Sequence, residues 1–167
     1  MSEQQNQAAG RQVVLQKMYL KDASVEVPKA PEIFTRQWQP ETDVQVNTQA
    51  TDLGENNWQV LLSVTVTAKA GADVAFLVEV HQAGIFTIVG FDPVELGAVL
   101  GGYSPGLLFP FAREAVADLV QRAGFPQLLL QPINFDALYL EHQRANVAKA
   151  PAQPADESGI ILPPTLN

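Results

Sequence analysis

Residues 58–80, WQVLLSVTVTAKAGADVAFLVEV, decide the fold. Trp58, Val60, Leu62, Val64, Val66 and Ala68 fall on one parity, and Gln59, Ser63, Thr65, Thr67 and Lys69 on the other. Successive side chains of a strand point to opposite faces, so this is a strand with one buried face. Ala70-Gly71-Ala72-Asp73 is a tight connection, after which Val74, Phe76, Val78 and Val80 resume the buried face. Two such runs around a short glycine-bearing link predict an antiparallel hairpin.

Working towards the N-terminus, Asp52–Asn57 is a turn cluster containing Gly54, and Val44 and Val46 alternate with polar neighbours as a short strand. Pro28–Pro40 (PKAPEIFTRQWQP) has no clean period and reads as a long crossover loop carrying Ile33, Phe34 and Trp38. A loop of this length inside a compact domain is usually functional. Gln12 to Val27 reads as a long strand, with Leu15, Tyr19, Val25 and Val27 on one parity and Asp22, Ser24 and Glu26 on the other. These sets occupy opposite faces provided that no bulge intervenes.

On the C-terminal side, Gly84 and Gly90 bracket an apolar stretch, Ile85–Val89, that continues or leaves the sheet. The pattern then turns helical. Asp92 is placed to cap a helix opening at Pro93, which Gly101-Gly102 and Pro105 are expected to break. Phe111 to Ala123 reads as a second helix, closed by Gly124 and Pro126. Asn134 caps a last one, with Phe135, Leu138, Tyr139 and His142 on its apolar stripe. Strands first and helices afterwards make an α+β fold, a four-stranded antiparallel sheet with helices packed on one face. The expected organisation is an N-terminal arm over residues 1–11, a domain over 12–145 and a Pro/Ala-rich tail over 146–167. The tail holds an apolar knot, Ile160-Ile161-Leu162.

Composition narrows the function. A chain of 167 residues suits one domain, and a net charge of −8 repels nucleic acid and anionic membranes while favouring a basic partner. The absence of cysteine excludes disulfides and cysteine-ligated metals. The polar opening MSEQQNQAAG has no signal-peptide pattern, and the apolar runs are too short to span a bilayer, so a soluble cytoplasmic protein is expected.

Chemistry is sparse. Ser63 and Ser104 lack the setting of a nucleophile, and nothing in the sequence pairs with His81 or His142 as a base. Glu79 and His81 share a strand face, but further metal ligands are not evident. Gly97-Ala98-Val99-Leu100-Gly101 is a GxxxG without the Lys-Ser/Thr of a phosphate loop, a spacing that more often lets helices pack closely. These readings predict a binding protein without catalytic residues, metal, cofactor or nucleotide.

Several motifs together resemble the SecB family of export chaperones. They are Val25-Glu26-Val27-Pro28-Lys29-Ala30-Pro31 with Phe34 and Trp38-Gln39-Pro40-Glu41, then Val64-Thr65-Val66-Thr67-Ala68 and Gly84-Ile85-Phe86. Leu108-Phe109-Pro110-Phe111-Ala112-Arg113-Glu114, Phe125-Pro126-Gln127-Leu128 and Pro132-Ile133-Asn134-Phe135-Asp136-Ala137-Leu138 follow in family order. The resemblance implies an ATP-independent chaperone that holds unfolded preproteins in a translocation-competent state and delivers them to the SecA motor. It implies a homotetramer, a dimer of dimers, that does not insert into the membrane. It also implies that Asp22, Glu26, Leu77 and Glu79 meet SecA, and that Phe34, Trp38, Val44, Val46, Phe135, Leu138 and Tyr139 line the client groove. A solvated acidic face and plain core packing are the bland alternatives for these two sets. The alternative function is a SecB-like module serving a toxin–antitoxin or other non-Sec partner. Retention of the acidic quartet favours the export reading.

Overall fold

The computed structural model describes residues 10–149. The hairpin that governs the sequence reading is its centre. β3 (Asn57–Ala70) and β4 (Asp73–Val89) pair antiparallel, Val66 opposite Val78 and Val64 opposite Val80. All four of these valines are fully buried, as are Val60, Leu62 and Phe86. Ile85–Val89 stays in β4. β1 (Gln12–Glu26) flanks β4 and β2 (Glu41–Gly54) flanks β3, giving one antiparallel sheet in the order β1-β4-β3-β2. β2 and β3 meet at Glu55 and Asn56, whose positive φ values of 55° and 62° suit a two-residue hairpin turn.

β2 is much longer than the short strand expected around Val44 and Val46. It is an edge strand whose residues are mostly exposed, so its inward positions tolerate Thr42, Thr48 and Ala50 and carry little apolar alternation. β1 contains two bulges, at Gln16 and Lys21, where pairing with β4 slips by one residue. Each bulge inverts the parity that follows it. Leu15 and Val25 therefore share the inner face as expected, because the two slips cancel. Tyr19 lies between them and turns to the outer face, where its hydroxyl meets Gln59 Oε1 at 2.5 Å.

Helices cover the inner face. Asp92 caps α1 (Pro93–Ala98) by accepting from the backbone N–H groups of Val94 and Glu95, while Glu95 accepts from the Asp92 backbone in return. The break expected at Gly101-Gly102 and Pro105 does not occur. A π-helical turn (Val99–Tyr103) carries the chain straight into α2 (Ser104–Arg122). Because the chain is already helical when it reaches Pro105, that residue's missing N–H removes one rung of the backbone ladder beside the π turn. Leu108, Ala112, Val116 and Val120 of α2 are buried against the sheet. The packing is tight at Gly84, where an added Cβ would lie 2.8 Å from Phe86, 3.0 Å from Leu108 and 3.1 Å from Leu15.

α3 (Phe135–Lys149) starts at Asn134, whose side chain accepts from Ala137 N–H at 3.0 Å. It packs across the π turn, and glycine makes this possible. A Cβ on Gly97 or Gly101 would collide with Tyr139, and one on Gly102 with Asp136. The GxxxG spacing is thus a helix-packing notch, as the sequence indicated. α3 runs on to Lys149, into the stretch expected as tail. The apolar knot at Ile160-Ile161-Leu162 and most of the expected N-terminal arm lie outside the described residues.

Candidate functional site

Two surfaces gather the residues singled out in the sequence. The first is apolar and lies on the helix side of β2. The second is acidic and lies on the opposite face of the sheet.

The apolar surface is built of two concavities. One, of about 300 Å³, lies between β2 and α3, with Val46, Thr48 and Ala50 on one wall and Leu138, Tyr139 and His142 on the other. Gly97, Leu100 and Gly101 form its floor, because the glycine notch draws α3 down onto the π turn. Leu138 and Tyr139 remain half-buried, reachable from outside. Phe135 borders the same groove but is only 5% exposed and packs on Phe109 at 5.6 Å between ring centroids. Its main contribution is to anchor α3.

The other concavity, of about 500 Å³, is lined by Ile33, Phe34, Trp38, Phe76, Phe125 and Leu128 among others. The proline-rich loop forms it. Ile33 is buried as the anchor of a single 3-10 turn (Glu32–Phe34), and the Trp38 indole N–H donates to the Ile33 carbonyl at 3.2 Å. Arg36 reaches Asp73 at 2.5 Å and Lys29 reaches it at 3.7 Å, which pins the loop to the β3–β4 turn. The hydrogen bond from Arg36 holds the Asp73 carboxyl below its usual range, with the charges of Lys29 and Arg36 assisting. Phe125 sits at the centre of the aromatic cluster, 4.8 Å from Phe76, 5.1 Å from Phe34 and 6.0 Å from Trp38 between centroids. The sequence reading missed its role, because it lies just past the end of α2 and belongs to no periodic stripe. Phe34 itself is 50% exposed.

Val44 lines neither concavity but sits between their β2 residues. It shares the inward parity of β2 with Thr42, which lines the aromatic hollow, and Val46, which lines the other groove. Its side chain is 40% exposed.

On the outer face the β1–β4 register brings the acidic set together. Asp22 stands opposite His81, Ser24 opposite Glu79 and Glu26 opposite Leu77. All lie on one side of neighbouring strands, and the patch runs about 13 Å from Asp22 to Glu26 at strand rise. His81 Nε2 is bonded to Glu79 Oε1. The outward residues of β3 alongside are Ser63, Thr65 and Thr67, all neutral. Leu77 closes the acidic row at its Glu26 end, an apolar side chain beside the carboxylates.

Among the described residues no group of three or more His, Asp or Glu is placed to hold a metal ion, and no helix is long and apolar enough to cross a membrane.

A family model described as preprotein translocase subunit SecB matches residues 4–146. The chain belongs to the SecB family. It is therefore a chaperone of protein export. Relatives named protein-export protein SecB agree. That of Methylococcus capsulatus is 50% identical over 155 residues, covering 93% of this chain and 98% of its own. That of Thioalkalivibrio sulfidiphilus is 55% identical over 135 residues, 80% of each chain. That of Nitrosococcus oceani is 51% identical over 154 residues, 91% of this chain and 92% of its own. Among solved structures, the SecB-like chaperone Rv1957 of Mycobacterium tuberculosis, in complex with a peptide of the HigA1 antitoxin, superposes with a TM-score of 0.61. It covers 72% of this chain and 90% of its own at 20% identity, a likeness of fold.

Proposed function

We propose that this SecB family member captures unfolded preproteins along the apolar surface around β2 and hands them to the SecA motor through its acidic sheet face. It does so in the cytoplasm, as a homotetramer built as a dimer of dimers, without catalysis or nucleotide. The observation that carries this reading is the division of surfaces. Apolar side chains remain reachable on one side of the sheet, and carboxylates cluster on the other.

Phe34, Trp38, Val44, Val46, Leu138 and Tyr139 are the client contacts, with Phe135 supporting them from below. Burying one such side chain against a client contributes about 1.5–3 kcal/mol. Several contacts of this kind retain a chain whose apolar groups are exposed and release one that has folded and hidden them. Asp22, Glu26, Leu77 and Glu79 are the SecA contacts. Their charge speeds encounter with a basic surface, and Leu77 supplies an apolar contact at the Glu26 end of the row.

Self-association is supported by apolar surface that a single protomer leaves open. Tyr103 at the end of the π turn and Leu107 and Phe111 on α2, spaced four residues apart on one helix face, are all exposed, Tyr103 and Phe111 by about half. A contiguous apolar stripe of this kind, unlike single exposed residues, marks a surface for a partner.

The test combines native mass with light scattering of an aggregating, non-native protein. A species near four chains that suppresses scattering without nucleotide is expected; a monomer, or no suppression, refutes the reading. Asp22→Ala with Glu79→Ala then weakens binding to SecA and leaves suppression intact. Equal loss of both activities refutes the division of surfaces.

A further inference from the structure

We infer that His81 regulates the charge of the acidic sheet face. Neutral, it positions the Glu79 carboxylate for a basic partner; protonated, it cancels part of the row's charge and weakens that partner's grip. This regulation rests on the reading of the face as the SecA-binding surface and acts on the same site.

The local sequence offers His81 no obvious partner, but the register of β4 supplies two. Its Nε2 is bonded to Glu79 Oε1, two residues back on the same face. Asp22 stands directly opposite it on β1. Side chains paired in this way have their Cβ atoms about 4.5–5.5 Å apart. The imidazole therefore stands next to two of the three carboxylates in the row, Asp22 and Glu79, with Glu26 farther along. Asp22 Oδ1 accepts from the Ala23 backbone N–H at 2.9 Å, which keeps that carboxylate close to its strand. The His81 side chain is 26% exposed and that of Glu79 45%, so a docked partner reaches both.

The other groups around His81 are few. β3 presents Ser63, paired with His81, and Thr65, paired with Glu79. β1 adds Ser24 and, at the bulge beside Asp22, the exposed Lys21. Lys17 pairs with Ile85, four residues farther along β4. That is about 13 Å at strand rise, beyond the screening length of about 8 Å at physiological salt. The helices cover the opposite face, and the chain's other histidine, His142, lines the groove on that side.

Histidine is the side chain whose charge ordinarily changes between about pH 5 and 8. In the neutral ring Nε2–H donates to Glu79 and holds its carboxylate in the row. A proton on the second ring nitrogen then adds a positive charge between two carboxylates, and the attraction for a basic surface falls. The partner's grip thus loosens as pH falls, while client capture on the other side of the sheet takes no part in the change.

The dissociation constant of purified SecA is measured at pH 8 and pH 6, at low salt, for the native protein, His81→Gln and His81→Lys. Glutamine keeps a donor for Glu79 without a charge, and lysine supplies a charge at both values. Changes common to all three chains belong to SecA and to other groups. From pH 8 to pH 6 the native protein should lose about three- to tenfold more affinity than His81→Gln, the effect of one charge beside two partly exposed carboxylates. His81→Lys should bind at both values about as weakly as the native protein at pH 6. Suppression of light scattering by an aggregating protein should be equal for the three chains at each pH. The same pH dependence in the native protein and His81→Gln overturns the inference, as does His81→Lys binding as tightly as the native protein at pH 8. A parallel change in scattering suppression also overturns it, since it marks a general structural effect. If Asp22→Ala with Glu79→Ala weakens SecA binding while His81→Gln leaves the pH dependence unchanged, the SecA surface stands and only its regulation falls.

Discussion

Gly101→Ala offers the sharpest test of how the groove is assembled. The substitution puts a methyl group under the Tyr139 ring, where an added Cβ would lie 2.8 Å from Cε2 and nearer still to Cδ2. Overpacking of this kind costs about 1–3 kcal/mol. Gly101 does not need a left-handed backbone, so Ala also gains about 1 kcal/mol of helix propensity. The net is a destabilisation of about 0–2 kcal/mol. In a Tyr139→Ala background the clash disappears and only the propensity gain remains, so Gly101→Ala becomes stabilising by about 1 kcal/mol. The sign therefore changes with the background. Gly106→Ala is the control, since nothing lies within 4 Å of its added Cβ, and it should stabilise in both backgrounds. Urea unfolding followed by far-ultraviolet circular dichroism measures all of these, at one fixed protomer concentration because assembly contributes to stability. If Gly101→Ala shifts stability by the same amount with and without the Tyr139 ring, α3 does not rest in the glycine notch and the groove geometry is wrong.

Other outcomes follow from single sites. Leu62→Ala empties a fully buried position between the sheet and the helices and should cost about 2–5 kcal/mol in urea unfolding. Ser104 Oγ is buried without a hydrogen-bond partner among the described residues, so Ser104→Ala should be neutral or slightly stabilising; a loss above about 2 kcal/mol would reveal a partner. Asp73 has a folded-state pKa below its ordinary 3.8, so its contribution to anchoring the proline-rich loop is present above that value and lost as pH falls below it. Trp38 fluorescence should accordingly report a loosening in that acid range, and Asp73→Asn should show the loosened signal already at neutral pH.

The sequence was most legible where burial is one-sided. Residues 58–80 alternate because β3 and the first half of β4 have helices on one face and an open second face, and period two records that directly. The acidic set was legible as residues, but its assembly depended on a register that the sequence does not display. Asp22 meets His81 only because the bulges at Gln16 and Lys21 each add a residue to β1, and neither residue type announces a bulge. The first of these bulges alone moved Tyr19 to the outer face.

Legibility failed for other physical reasons elsewhere. β2 hides its length because an edge strand exposes most of its residues and needs few apolar ones. Gly101 and Gly102 read as helix breakers because local propensity disfavours them in a helix interior. Packing of Tyr139 and Asp136 reverses that penalty, and the partner lies too far along the chain for any local pattern to reveal it. Phe125 gained its place at the heart of the aromatic hollow through a loop, where periodicity carries no information.

The most direct test concerns the grip of reachable aliphatic side chains on a chain without its fold. The dissociation constant of a permanently unfolded protein is measured by fluorescence anisotropy against the native chaperone and against Val46→Asp and Leu138→Asp variants whose circular dichroism is unchanged. Loss of one apolar contact of about 1.5–3 kcal/mol should weaken binding roughly 10- to 100-fold. Undiminished affinity in both variants would contradict the account.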